Sequence, residues 1–223
     1  MERIPIFYFS DVLCVWAFFA EPRLEAVRRS FGEQVLLEFK FCSVFGDTTR
    51  KIATAWSARG GYEGFADHLH HSAERFPETR LHADIWRKVR PASSLPPHLY
   101  LKAVQLSEKE NGVQGTFERA LCKMREAFFL DGLDIARQDV QLEIGRQAGA
   151  DNELVLRFIA DGRAHASLSA DYEDAQTLRV EGSPTMILNE GRQKLYGNVG
   201  YRIIEANIQE LLREPNPDQA SWC

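Results

Sequence analysis

The sequence predicts an α/β protein in which a βαβ unit near the start and a ββα unit near the end enclose a long helical insertion. Strand-like apolar patterns occur only toward the two ends of the 223 residues. Between them lie roughly 120 residues with helical spacing, a length that is too great for a loop inside a compact domain. We therefore expect the middle of the chain to form a helical lobe of its own.

The opening unit is predicted from three consecutive patterns. Residues 4–9 are almost wholly apolar, as in a strand that is buried on both faces. Apolar residues then recur at helical spacing, at Ala20, Leu24, Val27 and Phe31. Pro22 lies inside this helix and is expected to kink it, because proline cannot donate to the carbonyl four residues back. Residues 35–41 alternate with period two, which predicts a second strand, parallel to the first.

The middle and the end of the chain complete the architecture. Helical patterns cover residues 48–58, 95–111, 117–128, 139–147, 151–160 and 164–178, whereas residues 62–92 have no clear pattern. The closing unit consists of strands at 185–188 and 193–196 and a final helix around Ile204, Ile208 and Leu211. We assign residues 1–46 and 176–213 to an α/β domain, 47–175 to an inserted helical domain and 214–223 to a C-terminal tail.

Composition and charge narrow the function classes. Apolar residues make up 44%, charged residues 26%, and the formal net charge is -5, which disfavours nucleic acid and anionic membranes as partners. The N-terminal apolar run is interrupted by Pro5 and ends at Asp11, too short for a signal peptide or a membrane span. The cysteines have neither metal nor disulfide spacing, and no cysteine or carboxylate completes a metal site with the histidines at 68, 70 and 71. We expect a cytoplasmic protein with reduced thiols and no metal.

Cys14 is the strongest candidate for chemistry. It lies between the first strand and the first helix, where the positive end of the helix dipole favours a thiolate. In a Cys-x-x-Cys motif the second cysteine would be at position 17, which is Ala17. Cys42 and Cys122 are expected to be core residues. Cys223, the last residue, is either an ordinary terminal residue or a thiol that resolves a Cys14 adduct.

A second informative segment precedes the closing hairpin. Pro184 lies directly before the third predicted strand, where the chain needs a tight turn. The bond between Ser183 and Pro184 is therefore a candidate cis peptide. Taken alone the signal is weak, because most bonds before proline are trans and Gly-Ser-Pro is common in loops.

The order of the elements and three short stretches resemble a known family. The stretches are residues 11–16 (DVLCVW), 124–129 (MREAFF, followed by GLDI at 132–135) and 182–185 (GSPT). Over nearly the whole chain they resemble the DsbA-like thioredoxin-fold family. The chain looks most like the cytoplasmic FrnE-type branch, whose relatives include 2-hydroxychromene-2-carboxylate isomerase and glutathione transferase kappa. The resemblance implies a thioredoxin fold with a large inserted all-helical lobe.

The resemblance also implies roles for individual residues. Cys14 matches the nucleophilic cysteine of the family, and Pro184 matches the cis-proline that faces it. The backbone of Ser183 would pair with an extended thiol-containing ligand by strand addition. Trp16 would lie beside the thiol, and His98 would line the cleft from the helical lobe, both as substrate-binding residues.

Two positions depart from the family pattern. Ala17 replaces the resolving cysteine, so an external thiol such as glutathione would have to release a mixed disulfide from Cys14. Glutathione-using relatives tend to carry an Asp-Arg pair after the hairpin, whereas residues 197–202 (GNVGYR) contain no acid.

We therefore expect a DsbA-like thiol–disulfide oxidoreductase that acts as a monothiol through Cys14. Its substrate would be a thiol or disulfide of a peptide or of glutathione, with glutathione as a possible co-substrate, no bound cofactor and a possible homodimer. Two alternatives remain open. One is a glutathione-dependent isomerase or transferase, in which residue 14 stabilises a bound glutathione thiolate. The other is a non-catalytic peptide-binding or chaperone module with a degenerate redox site.

Overall fold

A computed structural model of the protein describes residues 3–213. Its sheet contains β1 (Ile4–Ser10), β2 (Val35–Phe41), β3 (Thr185–Leu188) and β4 (Gln193–Tyr196) in the order β2-β1-β3-β4. Strand β1 runs parallel to β2 and antiparallel to β3, and β3 pairs antiparallel with β4. These pairings confirm the predicted βαβ and ββα units and place β1 at the junction between them.

The helix after β1 differs from the prediction. It is divided at Ala20 into α1 (Val15–Phe19) and α2 (Glu21–Phe31). Pro22 lies in the first turn of α2, where a residue needs no N–H donor for the helix. The expected kink inside one helix is thus a break between two, and the predicted apolar face of α2 is still buried.

The insertion is helical, as predicted, although its first helix lies almost wholly in the stretch for which the sequence showed no clear pattern. Its helices are α3 (Gly61–Ala73), α4 (Leu95–Asn111), α5 (Thr116–Phe129), α6 (Gln138–Ala148), α7 (Asn152–Ala160) and α8 (Arg163–Thr177). After the hairpin, α9 (Tyr201–Leu212) contacts α2. The domain boundaries stay a prediction, because one continuous hydrophobic core contains residues from both sides of them.

Two parts of the insertion depart from the predicted pattern. Residues 48–58 form a π-helical turn (Thr49–Thr54) and a 3-10 turn (Ser57–Arg59), and the chain then reverses at Gly60, whose φ is 89°. Residues 74–94 form successive turns around Trp86, a fully buried side chain that stacks on Phe45 at 5.6 Å between ring centres. A segment that is anchored by one aromatic residue has no periodicity from which to predict it.

Helix α1 and strand β2 both pack against α5 of the insertion. Phe18 of α1 stacks on Phe129 of α5 at 5.0 Å, and Phe39 of β2 packs edge-on against Phe117 of α5 at 5.8 Å. These contacts join the helix that follows Cys14 to the lobe. Among the residues that the structure describes, no helix is long and apolar enough to cross a bilayer.

Candidate active site

The turn between β1 and α1 carries the predicted thiol. Cys14 is the N-cap residue of α1, with extended φ and ψ angles of -85° and 114°. Its backbone N–H donates to Asp11 O at 3.1 Å, and Leu13 N–H donates to Asp11 Oδ1 at 3.0 Å. These two hydrogen bonds close the turn, so local sequence fixes Cys14 at the start of the helix.

The loop before β3 meets this thiol. The Ser183–Pro184 peptide bond, the candidate cis bond in the sequence, is cis. Cys14 Sγ donates to Ser183 O at 3.2 Å, and Asp11 N–H donates to Ser183 Oγ at 2.9 Å. The thiol contact joins residues that are 169 positions apart. The fold therefore brings together three of the predicted site residues, Cys14, Ser183 and Pro184.

Gly182 and Tyr196 shape the other side of the loop. Tyr196 is 59% exposed, and its ring lies over Gly182, where a Cβ would come within 2.8 Å of the ring. Thr185 Oγ1 donates to Gly182 O at 2.8 Å and anchors the loop to β3. Glycine at position 182 therefore allows an exposed aromatic side chain to lie beside the cis-proline loop.

Asp11 is a site residue that the sequence analysis missed. Its fully buried carboxylate also accepts hydrogen bonds from Val44 N–H, Phe45 N–H and Ser94 Oγ. Burial alone would raise the pKa of Asp11, but the adjacent His98 ring and the N–H donors lower it below its ordinary value. The charged carboxylate thus joins the Cys14 turn to the exit of β2 and to the lobe. The sequence signal that could have identified Asp11 is its place as an acidic residue directly after a buried strand.

His98 approaches the same turn from α4. The ring is fully buried and stacks on Phe41 at 4.3 Å. Its Nε2 lies 3.0 Å from Val12 N and 3.6 Å from Asp11 Oδ1, and its Nδ1 lies 2.9 Å from Tyr172 Oη. His98 therefore supports the turn from beneath. Its predicted contact with substrate stays a prediction.

Trp16 lies in the first turn of α1, two residues after Cys14. Its half-buried ring packs edge-on against Phe19 at 5.8 Å and against Phe76 at 6.4 Å. Trp16 therefore connects the helix of the thiol to the segment after α3. Its predicted role in binding a ligand stays a prediction.

The electrostatic environment of Cys14 differs from the sequence expectation. Burial raises the pKa of Cys14 above its ordinary value, and the negative charge of Asp11 raises it further. The side chain of Ser183 and the N–H groups of Ala17 and Trp16 act in the opposite direction but do not outweigh burial. The expectation of a thiolate stabilised by the helix dipole is therefore wrong for this closed state, because the thiol is only 5% exposed.

The remaining cysteines have different surroundings. Cys42 is buried, as predicted, and its Sγ lies 3.9 Å from Gly182 O. The prediction that Cys122 is a core residue is wrong, because its side chain is half-buried and lines a cavity beside α5. Burial, with a contribution from the charge of Glu21, raises the pKa of Cys122 to about 11. Cys223 lies outside the described residues.

Comparison with known proteins classifies the fold. The DSBA-like thioredoxin domain matches residues 6–209. The chain belongs to the DsbA-like thioredoxin family. The predicted family and the thioredoxin fold with its helical insertion are confirmed, and the FrnE-type branch stays a prediction.

Two curated relatives of this DsbA-like chain are ClpXP adapter proteins named SpxH. The one from Halalkalibacterium halodurans is 26% identical and matches 95% of this chain and 68% of its own length. The one from Bacillus licheniformis is 28% identical, over 98% of this chain and 70% of its own length.

Solved structures share the fold over most of the chain. A probable DsbA oxidoreductase from Streptomyces coelicolor has a TM-score of 0.73 at 20% identity, covering 96% of this chain and 93% of that one. The cytosolic disulfide reductase DsbM from Pseudomonas aeruginosa has a TM-score of 0.65 at 19% identity, covering 93% of this chain and 100% of that one. DsbM has also been solved with GSH. 2-Hydroxychromene-2-carboxylate isomerase has a TM-score of 0.65 at 18% identity, covering 98% of this chain and 100% of that one.

Proposed function

We propose that the protein is a thiol–disulfide oxidoreductase that uses Cys14 as its single attacking thiol and an external thiol such as glutathione to complete the cycle. The observation that carries the proposal is the 3.2 Å contact between Cys14 Sγ and Ser183 O, beside the cis bond to Pro184. The fold shared with DsbM, a disulfide reductase solved with GSH, supports the same substrate class.

The thiol is closed in this state, and a ligand would open it. Cys14 is 5% exposed, and its S–H donates to Ser183 O. An extended ligand that adds to the loop as a strand would use the same carbonyl as its acceptor. Such a ligand displaces the S–H group from Ser183 and meets the released thiol, so the reactivity of Cys14 depends on ligand binding.

The chemistry follows from the absence of a thiol at Ala17. Cys14 loses its proton and attacks a disulfide R–S–S–R′, forming Cys14–S–S–R and releasing R′S⁻, which takes up a proton. A glutathione thiolate then attacks the sulfur of R, which frees Cys14 as a thiolate and leaves a glutathione–R disulfide. A second glutathione converts that disulfide to RSH and oxidised glutathione.

The proposal is tested by glutathione-dependent reduction of 2-hydroxyethyl disulfide. Cys14→Ser should lower the catalysed rate by about a hundredfold, because a hydroxyl cannot form the mixed disulfide. Cys122→Ser, the matched control, should stay within about twofold of the wild type, because that thiol lies at another site. Circular dichroism checks that both variants fold. Equal rates for Cys14→Ser and the wild type would refute the proposal.

A glutathione-dependent isomerase or transferase is the alternative within enzymes. The fold similarity to 2-hydroxychromene-2-carboxylate isomerase supports it. In this mechanism residue 14 would stabilise the thiolate of bound glutathione without forming a covalent bond. Calorimetric binding of glutathione, with no adduct on Cys14 after incubation with oxidised glutathione, would favour the alternative.

We propose a binding module as the second candidate, in line with the two SpxH relatives, which are ClpXP adapter proteins. The observation that favours it is the burial of Cys14, which raises the pKa of its thiol, together with the alanine at position 17. The test is binding of the wild type and of Cys14→Ser to purified ClpX by biolayer interferometry. Equal binding by both, without disulfide reduction, supports the adapter. No binding by either rejects it.

The proposed monothiol cycle also suggests in which compartment the protein works and which molecules it acts on. It needs a supply of reduced glutathione, so we propose that the protein works in the cytoplasm. Its proposed partners are peptide or glutathione disulfides, with neither nucleic acid nor membrane among them. The homodimer stays a prediction.

A further inference from the structure

A cavity lies apart from the residues around Cys14. Helices α1, α2 and α5, strand β2 and the segment at residues 75–79 line its volume of about 640 Å³. This volume is in the range of pockets that hold small organic molecules, about 300–1,000 Å³. Neither Cys14 nor the cis-proline loop lines it.

Aromatic side chains form one part of the walls of this cavity. Four phenylalanines line it, namely Phe18, Phe19, Phe39 and Phe76. Two of them, Phe19 and Phe76, stack on each other at 4.2 Å between ring centres and also contact Trp16. Such walls favour a flat, apolar molecule, since aromatic rings pack well in offset or edge-on contacts.

The charges around the cavity cancel. Four arginines and four glutamates line it. Arg28 is paired with both Glu25 and Glu118, and Arg125 Nη1 donates to Glu21 Oε1 at 2.9 Å. The formal charges of the lining sum to zero, so the cavity has no net charge that would attract an ion, and an uncharged ligand fits it.

One buried donor in the wall lacks an acceptor. Arg125 is 1% exposed, and its Nη2 donates to Ser10 Oγ at 2.9 Å. Its Nε is buried and has no hydrogen-bond partner within residues 3–213. An unpaired buried N–H costs free energy, which an acceptor on a ligand would recover.

We propose that this cavity binds a small, uncharged aromatic molecule that carries one hydrogen-bond acceptor, with the aromatic body between the phenylalanines and the acceptor toward Arg125. The site is separate from Cys14 and does not depend on the redox proposal. Phe19 and Phe76 join it to Trp16, so an occupied cavity would contact the helix that bears the thiol.

The probe is 6-propionyl-2-(dimethylamino)naphthalene, a neutral aromatic ketone whose emission shifts to the blue in apolar surroundings. We expect saturable binding with a blue shift for the wild type. Cys122→Phe should abolish it by filling the cavity, whereas Cys122→Ser, the matched control, should bind as the wild type does. In the wild type the probe should also slow alkylation of Cys122, a measurement that holds even if Cys122→Phe does not fold. Absence of saturable binding would overturn the proposal. So would saturable binding that is unchanged in Cys122→Phe and that does not slow the alkylation of Cys122 in the wild type.

Competition against the probe tests the role of the acceptor. 2-Acetylnaphthalene should displace the probe at about a tenfold lower concentration than 2-ethylnaphthalene, which has the same shape without the carbonyl. Equal competition by the two would refute a hydrogen bond from Arg125 to the carbonyl of the ligand. Stronger competition by 2-naphthoate than by the ketone would refute the preference for an uncharged ligand.

Discussion

Cys14 and Cys122 differ in both position and accessibility. Cys14 is the N-cap of α1, contacts Ser183 and is 5% exposed, whereas Cys122 lies within α5, is half-buried and lines a cavity. Burial raises the pKa of each thiol. A general thiol reagent should therefore reach Cys122 first, while only a ligand that pairs with the loop reaches Cys14. The more exposed thiol, Cys122, is therefore not the one that we propose to attack the substrate, which is Cys14.

The largest effect should come from removing the support beneath Cys14. Asp11→Asn replaces a buried carboxylate that accepts several hydrogen bonds, and the new amide turns an N–H toward those donors. We expect a loss of about 3 kcal/mol in the free energy of unfolding, measured by urea denaturation. Asp139→Asn, an exposed control, should leave the urea midpoint close to that of the wild type. A loss below about 1 kcal/mol for Asp11→Asn would show that the turn does not depend on this carboxylate.

Alkylation as a function of pH compares the two thiols directly. The reaction needs the thiolate, and a raised pKa lowers the thiolate fraction at neutral pH, so both rates should be low at pH 7 and rise as the pH increases. At pH 9 iodoacetamide should modify Cys122 about tenfold faster than Cys14, because Cys122 is more accessible. Peptide mass spectrometry gives both rates from one sample, and in urea they should become similar. Faster alkylation of Cys14 in the folded protein at pH 7 would contradict the closed state.

A smaller effect is expected from loosening the loop over Cys14. Ser183→Ala removes the acceptor of the Asp11 N–H and should cost about 1 kcal/mol of unfolding free energy. The rate of alkylation should rise at Cys14 and stay the same at Cys122. Ser169→Ala, which removes an exposed hydroxyl bonded to Glu173, serves as the control and should change neither rate. An unchanged rate at Cys14 in Ser183→Ala would mean that the loop does not restrict access.

The sequence predicted most of the scaffold, because periodic patterns report burial. The bounds of α4, β3 and β4 agree with the predicted ranges, and the Cys14 turn and the Ser183–Pro184 loop were found from local sequence and family resemblance. The break at Ala20 was missed because one apolar stripe runs across both α1 and α2. Residues 74–94 were missed because tertiary packing around Trp86, and not periodicity, holds them.

The state of the thiol could not be predicted from local sequence. A helix N-terminus lowers the pKa of a cysteine, but the burial that outweighs this effect comes from the whole fold. Asp11 appeared as the residue that ends an apolar run, and its hydrogen bonds to Val44, Phe45 and Ser94 exist only after the chain folds. The contrast between Cys14 and Cys122 is likewise a property of tertiary structure.

Mapping the site of glutathionylation tests the central claim most directly. The reduced, folded protein is incubated with oxidised glutathione, quenched with acid, digested and analysed by mass spectrometry without reduction. The account predicts that the glutathione adduct forms mainly on Cys14, the reverse of the order expected for iodoacetamide, and that Cys14→Ser loses it while Cys122→Ser keeps it. An adduct on Cys122 with none on Cys14 would contradict the assignment of Cys14 as the attacking thiol.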